Sequence, residues 1–423
     1  MAETVLDARA HPVPGSGEGP RKPPKIAPGR ARVAGGGIAG LAAAIALARA
    51  GWEVSVHERA ARFEEVGAGL QMSPNASRVL RWLGVLDQVA AVGFQPERAE
   101  LRDGQTGALV YEVPLARAAE IRWGAPYIHV HRADLVAVLA EAAEAAGVAL
   151  NTGDAVVSYG NRPEGVRLTM ADGRTITGDL AIGADGLRSA VRGVLNGEEA
   201  PDFSGQVVWR GTVPVEALPE GTVTPTATVW AGPGRHVVSY LLRGGRLANV
   251  VAAEERDEWA EESWSVAGDP ERLRAAFDGW HPRVTALLGA LERPLLWGLF
   301  VRPEQVRWAD GRVALIGDAA HAMLPYMAQG AAMALEDVAA LSRALTRAPD
   351  VPAALLTFEE ARWQRVVRVQ ERARANGRLF HRRNATTRAM ERWPMSLVST
   401  FAPSLAAAQL DWLYGHDATA GMS

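Results

Sequence analysis

The sequence predicts an α/β fold. A domain on a mainly parallel sheet is split between 31–200 and 296–347, and an α+β domain on an antiparallel sheet is inserted over 201–295. A helical region follows over 348–423, and a flexible tail precedes the whole over 1–30. Three observations predict this arrangement. A strand–helix–strand pattern opens the ordered chain near Ala31, the apolar period becomes that of strands between 205 and 253, and a strand, loop and helix return over 312–345.

Each element has its own signal. ARVA (31–34) reads as a short buried strand, 38–50 as a helix and 53–57 as the next strand, a βαβ unit of about 28 residues. Asn75 is placed to cap a helix that Gly84 ends. Residues 98–113 alternate as a hairpin around Asp103-Gly104. A helix over 133–146 stops at Gly147, and short strands are expected near 154–158, 166–170 and 179–182. QVVWRGTV, TATVW, HVVSYLL and LANVVAA, separated by Gly and Pro turns, form the antiparallel sheet. Helical pattern covers 270–291 and the chain beyond Pro352, and no internal repeat is present. The stretch 8–30 is dense in Pro, Gly and Arg and cannot bury enough apolar surface to offset its ordering entropy.

Bulk properties exclude several function classes. With 423 residues the chain is long enough for more than one domain. A net charge of −3 gives no basic excess for nucleic acid or an anionic membrane. No cysteine is present, which removes disulfides, thiolate metal sites and a Cys nucleophile. Nine histidines lie scattered without metal-ligand spacing, so no metal is expected. No apolar run reaches the length of a membrane helix and no signal peptide is visible, so the expected location is the cytoplasm, as a monomer or homodimer.

Three motifs carry chemistry. Gly35, Gly37 and Gly40 give G-x-G-x-x-G between a strand and a helix: a tight turn, close approach to a pyrophosphate, and close helix–strand packing. Glu58 closes the second strand, placed to accept hydrogen bonds from a ribose with a free 2′-OH. The second motif is GADGLRS, with Asp185 and Gly186, followed by Arg192. Taken alone it also reads as a helix start capped by Asp185, with Arg188 and Arg192 solvated. The third is GDAAH, where the strand VALIG ends in Gly317 and delivers Asp318, and then Pro325 to Ala331 entering a helix near Gly330. An acid at the carboxyl end of a strand can bind ribityl hydroxyls, and a helix N-terminus stabilises charge on a reduced flavin.

In this order the motifs resemble the fingerprints of single-component FAD-dependent aromatic-ring monooxygenases, the salicylate, 3-hydroxybenzoate and 6-hydroxynicotinate hydroxylase group in particular. EEVGAGLQMSPNASRVLRWLG (64–84), HVHRADL (129–135), GWHPRVTALL (279–288) and DWLYGHD (411–417) fit the same likeness. The resemblance implies a Rossmann-type FAD-binding domain and tightly bound FAD, with NAD(P)H as a transient co-substrate. Glu58 would bind the adenosine ribose, Arg132 the FAD, Asp185 both nucleotides and Asp318 the ribityl chain. Pro325 to Ala331 would pass beside the isoalloxazine, and Arg59, Gly69, Gly186 and Gly317 complete the cofactor set. It further implies a flavin C4a-hydroperoxide attacked by an electron-rich ring. Ala322 replaces a common Pro after His321, and Val301 replaces an acid before Arg302.

For the substrate pocket, alternation puts His236, Val238 and Tyr240 on one face of HVVSYLL. Tyr326 and Gln71 stand where relatives can carry a catalytic His, so base catalysis by His is not carried over. Tyr326, Tyr240, His236 and Gln71 are the catalytic candidates; for the first three the other reading is a packed or surface residue making one ordinary hydrogen bond. Trp209 and Met327 read as core, and the Arg-rich helix near 362–383 as a solvated face with Val366, Val367 and Val369 inward. The expected function is hydroxylation of a small aromatic acid with O2. Two alternatives stay open: a monooxygenase or epoxidase of a larger apolar or polycyclic substrate, and an FAD-binding partner protein that hydroxylates nothing.

Overall fold

A computed structural model describes residues 26–63, 69–197, 200–257, 259, 266–302 and 306–422. Most of the tail, residues 1–25, and residues 64–68 of the EEVGAGL stretch lie outside the described residues. The first sheet has six strands in the order Ala309–Asp310, Val313–Leu315, Leu180–Gly183, Arg30–Ala34, Glu53–Glu58, Ala149–Thr152. Its ladders are parallel except at the Ala309–Asp310 edge. The central strands are buried on both sides, which is why they read as short continuous apolar runs. The helix Ile38–Arg49, nearly all Ala, Leu and Ile, is buried through Leu47, and the helices Arg132–Ala145 and Gly330–Arg347 pack against it.

The second sheet has eight strands: Val266–Ala267, Leu295–Val301, Asp202–Pro214, Leu247–Glu255, Arg235–Leu242, Thr226–Gly232, Arg98–Asp103, Leu109–Pro114. It draws in strands from outside 201–295. The 98–113 hairpin joins it through a parallel ladder with Thr226–Gly232, and Leu295–Val301 joins it beside Asp202–Pro214. Such pairing is made by backbone groups distant in sequence, so no local pattern announces it. Alternation gives the sheet two working faces. Val207, Trp209, Trp230, Val237, Val250 and Ala252 face one way and pack with Leu273, Phe277, Val284 and Leu287 of the helices Pro270–Ala276 and Pro282–Gly289. The other face looks toward the first sheet's carboxyl end.

Three local readings are corrected. Asn75 lies inside the helix Pro74–Trp82, whose N-cap position is Ser73. Its buried side chain donates to Gln329 Oε1 (3.1 Å) and Glu336 Oε1 (2.8 Å), a distant pairing that outweighs local capping. Arg362 and Arg365, on the long helix Val351–Phe380, are not on a solvated face. Arg362 pairs with Glu336 and Asp337, both at 2.7 Å, and Arg365 reaches Glu336 at 2.6 Å, because two adjacent buried carboxylates demand counter-charge. Arg192 is buried rather than solvated, and its guanidinium reaches the carbonyls of Ala319 (3.4 Å) and Ala320 (3.2 Å). It thereby ties the second motif to the third.

Candidate active site

The glycine turn leads from the first strand into the helix Ile38–Arg49. Gly35 sits at φ +100°, a conformation that favours glycine, and its N–H donates to His57 O (2.8 Å). A Cβ on Gly40 would stand 1.9 Å from Gly35 O, so only glycine permits this helix to approach the turn. Glu58 accepts from Gly36 N (2.7 Å) and Ala60 N (2.8 Å), holding the turn against the end of the second strand. Arg59 follows on the surface. The helix begins at Gly37 with no side-chain cap and no acid in its first turn. Its open N–H groups are a donor set for a diphosphate.

The GDAAH turn is built from beneath. Asp337 Oδ2 accepts from Gly317 N (3.0 Å) and lies 2.6 Å from His321 Nε2, so one buried carboxylate grips both ends of the short turn carrying Asp318. Gly317 is at φ +59°. Asp185 accepts from Ser189 Oγ (2.5 Å) and Ala190 N (2.8 Å), at the start of the helix Ala190–Asn196. Burial pushes its carboxyl upward against those bonds. Arg302, the residue with no acid before it, donates to Leu187 O (2.8 Å) in the same loop. Burial lowers the Arg132 guanidinium, and Asp318 opposes that shift.

Gly37, Gly69, Arg132, Gly186, Asp318, Pro325, Gly330 and Ala331 line a single cavity of about 540 Å³ beneath the eight-stranded sheet. Gly35, Gly40, Glu58, Asp185 and Gly317 support it from behind rather than lining it. The helix Gly330–Arg347 also starts with no side-chain cap and no acid in its first turn. Two uncapped helix N-termini, an acid and an arginine on one concave surface fit a flavin dinucleotide: phosphates at one terminus, developing negative charge at the other. Among the described residues, no group of three His, Cys, Asp or Glu could hold a metal ion.

All four catalytic candidates line this cavity, in two pairs. Tyr240 packs on Gly69, where a Cβ would come within 2.5 Å of its ring, so glycine there makes room for the tyrosine. Gln71 accepts from Tyr127 OH (2.6 Å) and also favours the ionised form of Tyr240 by hydrogen bonding. Across the cavity His236 meets the Tyr326 ring edge-on at 5.2 Å, and Tyr326 OH donates to Gln206 Oε1. Burial raises the hydroxyl pKa of both Tyr240 and Tyr326, so each stays a proton donor. Trp209 is core, whereas Met327 lines the cavity.

One residue of this surface was missed. Arg210 follows Trp209 and therefore points to the opposite face, into an apolar roof of Ala99, Ala227, Val229, Val238, Val251 and Ala253. Its guanidinium lies 4.3 Å from the Trp297 ring centre, and no carboxylate pairs with it among the described residues. Burial, with Arg132 adding to it, pulls its pKa down to about 10. A lone Arg in the strand run QVVWRGTV was the available signal.

Residues 30–373 match the family model described as FAD binding domain. The chain belongs to this FAD-binding family. It is 41% identical to 3-amino-4-hydroxybenzoate 2-monooxygenase of Streptomyces cremeus, over 83% of this chain and 88% of that one. It is 36% identical to 3-hydroxybenzoate 6-hydroxylase 1 of Aquipseudomonas alcaligenes, over 91% and 97%. A salicylate hydroxylase solved with its substrate superposes with a TM-score of 0.78 at 28% identity, covering 92% of this chain and 96% of that one. This FAD-binding chain is thus a flavoprotein monooxygenase, and its fold is that of the salicylate hydroxylase structure. No helix of the described residues is long and apolar enough to cross a membrane.

Proposed function

We propose that this monooxygenase hydroxylates a small aromatic acid bearing a ring hydroxyl, using NAD(P)H and O2. The observation that carries this reading is Arg210, a half-buried cation in a largely apolar roof with no carboxylate partner among the described residues. A buried charge is costly unless paired, and a substrate carboxylate supplies the pair. The relatives named for hydroxybenzoates agree with that chemistry.

Bound FAD supplies hydride acceptance and oxygen activation. The residues of this chain do the rest. Arg210 fixes the carboxylate end of the ring. Tyr240, kept protonated by burial, donates to a ring oxygen substituent, while Tyr326, whose hydroxyl donates to Gln206, packs at the ring's other side. The Ala and Val roof excludes water from the reacting edge. Asp185, Arg59 and Glu58 serve the nucleotides from outside the cavity. Arg210→Met tests the reading, since the thioether fits the roof without charge. With a panel of hydroxybenzoates, KM should rise about 10- to 100-fold, the worth of a charge-assisted hydrogen bond of roughly 1.5–3 kcal/mol, with flavin content unchanged. Unchanged KM across the panel would sink the small-acid reading and favour a larger apolar substrate.

A further inference from the structure

The register row that carries Arg210 crosses the roof from strand to strand. Cross-strand partners run from Tyr111 to Leu101, then to Val229, Val238, Val251 and Arg210. All six line the cavity. Neighbouring strands stand about 4.8 Å apart, so the five steps span roughly 24 Å. Between its two ends the row is wholly apolar, one Leu and three Val.

The Tyr111 end meets solvent. Among the described residues that line the cavity, four are exposed: Asp318 and Pro325 belong to the cofactor cradle, whereas Arg372 and Gln409 do not. Tyr111 OH donates to Ala406 O (2.6 Å), which ties the outer strand to the chain just before Gln409. Arg372 lies on the helix Val351–Phe380 and faces the Tyr111 hydroxyl, whose pKa burial raises and this guanidinium lowers. One turn earlier, Arg368 lies 4.1 Å from the Trp412 ring centre, and Trp412 also lines the cavity. One turn later, Asn376 donates to Tyr326 O (3.1 Å), so this helix face is fixed against the loop beside the cradle. No carboxylate pairs with Arg372 among the described residues. Glu371 precedes it in the chain but lies about 100° round the helix and does not line the cavity.

From this geometry we infer that Arg372 is an arrival site for the carboxylate of an aromatic acid, and that the row from Tyr111 to Arg210 is the track along which the acid reaches the pocket. The inference rests on the small hydroxy-acid reading above. Each end of the row offers a cation to the carboxylate, and the middle offers only apolar contact to a ring. The acid is therefore drawn in at one end and held at the other, with no charged stop between. Arg372 stands in water, where an ion pair is weak and brief, whereas Arg210 is half-buried and holds longer. A cation at a mouth raises the encounter rate of anions and leaves that of neutral molecules alone. Arg372 acts on entry and exit, not on the reaction itself.

The test uses the FAD-loaded full-length enzyme with 3-hydroxybenzoate, and 3-hydroxybenzamide as its uncharged counterpart. Stopped-flow mixing reads the flavin absorbance change on binding. At low ionic strength Arg372→Gln should slow entry of the acid about fivefold and Arg372→Glu about twentyfold. Exit should slow by the same factor, so that Kd moves by no more than about twofold. Arg210→Met should instead speed exit and raise Kd. Entry of the amide should be the same in wild type and both Arg372 variants. Added salt should slow acid entry in wild type and hardly affect Arg372→Gln. Val229→Phe narrows the row midway and should slow entry of both probes. Acid entry equal in wild type and Arg372→Glu overturns the arrival site, as does a raised Kd with entry unchanged. Entry untouched by Val229→Phe overturns the track. Each of these results leaves the hydroxy-acid reading standing. Absence of any flavin change when wild type meets the acid overturns both.

Discussion

The glycine cradle and the sheet roof enclose the same cavity by opposite means. The cradle grips through backbone groups: the N–H donors at Gly37 and Gly330, a turn pinned by Glu58, a second turn pinned by Asp337. The roof presents side chains to the cavity from seven strands, Leu109–Pro114 to Leu295–Val301. Backbone recognition requires fixed residues at fixed spacings, whereas side-chain recognition requires only that alternation present the right atom on the right face. Cofactor identity is therefore tied to local motifs, and substrate identity is spread across the chain.

Substitutions that separate the two surfaces sharpen this contrast. The largest effect is expected beneath the cradle. Arg362→Met strips counter-charge from Glu336 and Asp337 and should cost about 3–5 kcal/mol, read by denaturant unfolding, with flavin lost early. The same network sets an acid limit. Glu336 is buried, yet Arg362 and Arg365 hold its carboxyl down at about 2. Its contribution to stability is full above the unfolded carboxyl value of about 4.3 and is lost as pH falls toward 2. Wild-type unfolding free energy should therefore drop across that window, and Arg362→Met should flatten the drop.

Next is Gly40→Ala. The added Cβ meets Gly35 O, and overpacking of this kind costs roughly 3 kcal/mol. Purified protein should carry little FAD by absorbance; full occupancy would show that the helix can shift without harm. The smallest effect belongs to the roof. Tyr240→Phe should leave FAD content intact, raise KM only about fivefold, as loss of a hydrogen bond of about 1 kcal/mol predicts, and divert reducing equivalents to peroxide. If Tyr240→Phe instead released the flavin, the division between cradle and roof would fail.

That division also explains what the sequence disclosed. The βαβ unit, the three motifs and the inward face of HVVSYLL each lie within one short window, and each could be read there. Arg192 could not, because its partners are carbonyls 127 and 128 residues away. Nor could Arg362 be separated from its neighbours on an Arg-rich helix without knowing that Glu336 and Asp337 are buried. Arg210 was within reach, since a cation between Trp209 and Gly211 breaks an apolar strand. Arg372 gave no signal of its own, as a helix face is placed beside a sheet edge only by tertiary packing.

Trp209 and Arg210 are neighbours on opposite sides of one strand, the first in the core and the second over the cavity. Along this sheet, then, even and odd positions answer to different selective pressures. Exchange among Ala99, Ala227, Val229, Val251 and Ala253 alters the contour offered to a ring without disturbing Trp209, Trp230 or Val250 behind them. The roof is a panel on which new substrate preferences can be tried one side chain at a time, while the helices packed on its back keep the sheet's curvature constant.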